Sequence, residues 1–107
     1  MTIKKNTISY IKHEIDLLEK EQGSYMDKYL YSISLSQKAG LKRALKLLEL
    51  SDDIEENKNI IIEEIAKLEA KTKSIPEPEE ALVIYGMVES LNLVLEMLLE
   101  KPLILKN

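Results

Sequence analysis

Residues 81–99 read ALVIYGMVESLNLVLEMLL, and only Glu89, Ser90, Asn92 and Glu96 bring polar side chains into an otherwise apolar run. A surface helix of a small domain buries one stripe, whereas a helix apolar on nearly all sides must be covered on most of them. Two adjacent seams run along this segment. Ile84, Val88, Leu91, Leu95 and Leu98 make one; Val83, Met87, Ser90, Val94 and Met97 make the other. A corner helix of a four-helix bundle needs a single broad stripe. The first seam is therefore assigned to the bundle core. The second is read as an interaction seam, across which a second copy or another protein packs. A homodimer through the C-terminal helix is the expectation. A membrane span has the same length, but Glu89 and Glu96 would each cost about 2–3 kcal/mol near the bilayer interior, so no membrane is expected.

Upstream, apolar residues recur at gaps of three and four. Ile8, Ile11, Ile15 and Leu18 place one helix over about 3–22, and Leu41, Ala44 and Leu48 continue a stripe through a second over about 25–50. Tyr31 to Ser36 alternates with period two and would suit a strand, yet the helical spacing passes through it in phase. Ile61, Ile65 and Leu68 mark a third helix over about 53–73. Ser51-Asp-Asp53 supplies its cap, acidic residues crowd its first turn and Lys67, Lys71 and Lys73 its last. The fourth runs over about 78–101, with Pro78 at its first position. The three Gly and three Pro are read as helix-end punctuation, Gly23-Ser24 and Pro102 among them. Residues 102–107, with Leu103-Ile-Leu105, form an apolar tail that should dock on some surface.

The fold class is thus all-α: four antiparallel helices, as two tandem helical hairpins, in a single domain of residues 1–107. Its core comprises Ile11, Ile15, Leu18, Leu41, Leu48, Ile61, Ile65, Leu68, Ile84, Val88, Leu91, Leu95 and Leu98. A shift of fifty residues aligns Ile11, Glu14, Ile15 and Leu18 with Ile61, Glu64, Ile65 and Leu68, and Leu41, Leu45 and Leu48 with Leu91, Leu95 and Leu98. Each half would then be one hairpin and the whole a duplication. Equal-length hairpins rich in Ile, Leu and Glu would match in phase without one.

The chemistry is sparse. There is no Cys, which removes disulfides and thiolate metal sites. His13 is the sole His and lies between the stripe residues Ile11 and Ile15, so it is read as solvated or structural. No Gly-rich phosphate loop exists. Glu77-Pro-Glu-Glu80 has the spacing of a Mg²⁺-binding carboxylate pair, but no Asp follows Asp53 to complete such a site. No catalytic, cofactor or metal residues are assigned, and an enzyme is not expected. The N-terminus lacks the apolar core of a signal peptide, which makes the cytoplasm the expected location. Net charge is −4, which argues against nucleic acid as the main partner.

Two polar features remain. Lys38, Lys42, Arg43 and Lys46 form a basic ridge that could follow a phosphate backbone or meet an acidic partner, although no aromatics interleave it for base stacking. Glu89, Asn92 and Glu96 project on one side of the apolar helix. They are either its one wet stripe or a polar site for a ligand, a cation or a partner's lysine. The leading expectation is a non-catalytic protein–protein interaction module of unidentified partner. The alternatives are a nucleic-acid-associated regulator using the ridge and a ligand binder using Glu89, Asn92 and Glu96.

Overall fold

A computed structural model describes residues 3–21, 28–74 and 78–99. They form four helices: α1 (Ile3–Glu21), α2 (Lys28–Leu48), α3 (Ile54–Thr72) and α4 (Pro78–Leu98). The stretch from Tyr31 to Ser36 is helical, so the three–four spacing outweighs the local alternation. Ser36 Oγ there donates to the Ser32 carbonyl at 3.0 Å, which satisfies a buried hydroxyl on its own helix. α2 ends at Leu48, two residues short of expectation. The N–H groups of Glu49 and Leu50 donate back to the carbonyls of Lys46 and Leu47 and tighten the turn. Asp53 then caps α3 from an extended conformation. Its side chain accepts from the Glu55 N–H at 3.1 Å, and Ser51 Oγ accepts from the Asp53 N–H at 3.0 Å. Gly23-Ser24, Glu77 and the tail at 102–107 lie outside the described residues.

The closest packing in the molecule is between α2 and α4. Gly40 and Gly86 lie inside these helices rather than at helix ends, which corrects the reading of glycine as punctuation here. A Cβ on Gly40 would stand 2.8 Å from both Cα and the carbonyl oxygen of Met87, and one on Gly86 would stand 2.5 Å from Ser36 Cβ. Only glycine permits that approach. Ser36 faces Gly86 and Gly40 faces Ser90, so residue numbers rise together along the two helices, which run parallel. Ser90 Oγ donates to the Gln37 carbonyl at 2.8 Å across the same contact. α1 and α2 run antiparallel: Lys4 at the start of α1 donates to the Ser51 carbonyl just past α2, while Glu19 near the end of α1 lies beside Lys38 and Lys42.

α1 and α3 each pack on both α2 and α4 and barely meet one another. The layout packs α4 against all three other helices. Ile84, Val88, Leu91 and Leu98 join the buried core with Ile11, Leu41, Leu48, Ile61, Ile65 and Leu68; Ile15, Leu18 and Leu95 pack against it partly buried. Val94, fully buried, also belongs to the core, as do Ala44 and Leu47.

The fifty-residue offset recurs in three dimensions. Thr7 and Asn57, Ile11 and Ile61, Leu41 and Leu91, Ala44 and Val94, and Leu48 and Leu98 are buried pairwise. Residues related by the offset touch at Ser36–Gly86 and Gly40–Ser90. That is the geometry beside a two-fold axis running along α2 and α4. Around that contact the two hairpins bury corresponding positions.

Among the buried polar groups, Asn57 is fully enclosed, and neither its Oδ1 nor its Nδ2 has a hydrogen-bond partner among the described residues. Thr7, its counterpart, satisfies its hydroxyl on the Ile3 carbonyl at 2.9 Å. An enclosed amide without partners costs stability, and an apolar group of similar size does not. Asn57→Leu is expected to raise unfolding stability by about 1–2 kcal/mol, read from urea denaturation; a loss would mean the amide is satisfied. Gly40→Ala would gain up to about 1 kcal/mol in an exposed helix. Here it is expected to lose about 1–3 kcal/mol, because the Met87 backbone occupies the space. Stabilisation by this change would show that α2 and α4 are not in contact.

Candidate functional site

The interaction seam read from the sequence is partly spent inside the chain. Val94 and Ser90 are buried against the α2 side of α4, and Met87 and Met97 are half-buried. Val83 alone of the five is exposed, at 44%. The reason is the parallel α2–α4 contact: it covers the face of α4 that a corner helix would have left open. With Val83 as the only exposed residue of the five, the seam is not a continuous open apolar face. Glu80–Leu98 is, among the described residues, the one stretch long and apolar enough to cross a membrane, with a mean hydropathy of 1.6. The core helix of a soluble bundle meets the same test, and the inward face of α4 is buried in the compact bundle.

The basic ridge is also partly consumed. Arg43 places Nε 3.1 Å from Glu64 Oε2 and Nη2 3.3 Å from Oε1, a two-bond fork across α2 and α3. The hydrogen bond to Glu64, reinforced by that carboxylate's charge and opposed by burial, holds the Arg43 guanidinium above its usual range. Lys38 and Lys42 approach Glu19 on α1 at 3.7 and 3.8 Å. Lys46 is exposed, with no ion-pair partner among the described residues. Three of the four ridge cations thus lie within 4 Å of a carboxylate on a neighbouring helix.

Glu89, Asn92 and Glu96, by contrast, are brought together with residues from two other helices. A groove of about 420 Å³ lies between α1 and α4. Its α4 wall is Glu89, Asn92, Leu93 and Glu96; Glu14 and Leu18 stand on the α1 wall; Gln37, Leu41 and Ser90 form the floor. The floor is buried at Leu41 and Ser90, while Glu14, Leu18, Gln37 and Leu93 are half-buried and the α4 polar residues exposed. Glu14 also bears on Tyr10, one turn earlier, whose hydroxyl is held above its usual range by burial and then by that carboxylate. Among the described residues no cation pairs with Glu14, Glu89 or Glu96, and no group of three His, Cys, Asp or Glu is arranged to hold a metal ion. His13 is exposed beside the groove's α1 wall, and Glu80 is exposed at the start of α4.

The two-fold relation gives this groove a counterpart between α3 and α2. Glu64 corresponds to Glu14, Met87 to Gln37, and Arg43 to Leu93. There the Arg43–Glu64 fork bridges the two helices; here Leu93 carries no charge and Glu14 is left uncompensated. Glu14, Gln37 and Leu93 were missed in the sequence, although the fifty-residue alignment contains the comparison that exposes them. Comparison with family models, with curated proteins and with solved structures returns no match. Arg43→Glu sets two carboxylates against each other. It is expected to lower the melting temperature by several degrees at low ionic strength and by less at high salt. A melting temperature independent of salt would contradict the pairing.

Proposed function

We propose that this chain is a non-catalytic helical protein–protein interaction module that holds a segment of a partner in the α1–α4 groove. It would act in the cytoplasm as a small adaptor, regulator or inhibitor. One observation carries the reading: a groove of about 420 Å³ is lined by Glu14, Glu89 and Glu96, none paired with a cation among the described residues. Leu18, Leu41 and Leu93 give it apolar footing between those carboxylates. An apolar centre ringed by charges that select the partner is the usual anatomy of a protein-binding patch. The acidic lining repels phosphate, and the ridge on α2 gives three of its four cations to Glu19 and Glu64. Nucleic acid is therefore the weaker reading. A small-molecule amine in the same groove is distinguished from a protein segment by the experiment below.

A photo-crosslinking residue at position 93, with one at the exposed Ala66 on α3 as control, should capture a specific protein in cells. The captured protein, purified, should bind the intact chain. It should bind the Glu89→Lys/Glu96→Lys double variant about tenfold or more weakly, and the Lys42→Glu/Lys46→Glu variant as well as the intact chain. An affinity untouched by the groove variant, or capture at position 66 alone, contradicts the proposal.

A further inference from the structure

We infer that the group anchored in this groove is an arginine side chain of the partner, its guanidinium set against the Glu14 carboxylate. The inference rests on the docking reading above and names the residue that docks.

The internal repeat supplies the argument. Across the two-fold, the carboxylate at the equivalent position, Glu64, is met by the fork of Arg43 with bonds of 3.1 and 3.3 Å. A planar guanidinium offers two parallel N–H donors to one carboxylate; an ammonium is a point charge and cannot make that fork. In the α1–α4 groove the position of Arg43 is taken by Leu93, so the carboxylate half of the pair is present without its cation. The groove opens beside it. The repeat also diverges in charge around that point. Glu89 and Glu96 flank Leu93, one turn to either side, where Ala39 and Lys46 flank Arg43. The α2–α3 side thus supplies its guanidinium from within, and the α1–α4 side carries no such group at the matching position. Gln37 on the floor, where the counterpart has Met87, adds an amide oxygen that can accept from the remaining guanidinium N–H groups.

The test uses the full chain, labelled with nitrogen-15, titrated separately with N-acetyl-arginine methylamide and N-acetyl-lysine methylamide. The arginine compound should shift the amides of Glu14, Gln37 and residues 89–96, and bind about threefold or more tightly than the lysine compound. Glu14→Gln should abolish that preference. Leu93→Arg should supply the missing group from within: the melting temperature rises and the added arginine compound no longer shifts the groove. If Leu93→Arg does not fold, the Glu14→Gln titration decides. Equal binding of both compounds, or an arginine preference that survives Glu14→Gln, overturns the arginine assignment and leaves docking in the groove intact. Groove residues that do not respond to the arginine compound overturn the inference as well. Docking itself fails separately, when a purified partner ignores the groove variants.

Discussion

Two helices can bring their backbones together only where no side chain stands between them, and α2 and α4 do so at Gly40 and Gly86. That approach makes a parallel, diagonal pair the spine of the bundle, with Ser36 and Ser90 completing the small-residue surface. α1 and α3 then occupy the two sides, each resting on both spine helices. The apolar circumference of α4 follows from this position. It meets α2 on one face and α3 on the next, and its third side looks across a groove to α1. Part of what looks in the sequence like surface in search of a partner is surface already used, at Ile84, Val88, Leu91, Val94 and Leu98.

The same spine explains why the molecule has two related but unlike sides. A two-fold between α2 and α4 generates a cleft on each flank, one between α3 and α2 and one between α1 and α4. Side chains decide which stays open. Arg43 crosses the first to Glu64 and ties α2 to α3; Leu93 leaves the second open, with its carboxylates uncompensated. One flank of the bundle thus serves its own cohesion, and the other presents carboxylates to solvent.

Much of the architecture could be read from residue spacing. Four helices, their order and most of the core follow from periodicity, because each helix buries a stripe and periodicity encodes stripes; the Asp53 cap follows from its residue type ahead of an acidic first turn. The diagonal contact was not legible that way. A glycine in mid-helix looks like a weakness when its partner surface is unknown, and Gly40 and Gly86 gain meaning only from each other. Without that contact α4 reads as a corner helix, and Val94 and Ser90 are pushed outward onto an interface. The candidate groove was half legible. Glu89, Asn92 and Glu96 share one helix, so spacing groups them; Glu14 and Gln37 come from two others, and only packing brings them alongside. The contrast of Arg43 with Leu93 was available in the fifty-residue alignment but has no significance until Glu64 is seen in contact with Arg43.

Nuclear Overhauser contacts across the spine test this account most directly. The side-chain protons of Ser36 should show strong cross-peaks to the Gly86 α-protons, and the Gly40 α-protons to the α-proton of Met87 and the β-protons of Ser90. Cross-peaks joining the start of α2 to the end of α4 instead, or no contact between these helices, would contradict it. α4 would then be free to seek cover on another molecule after all.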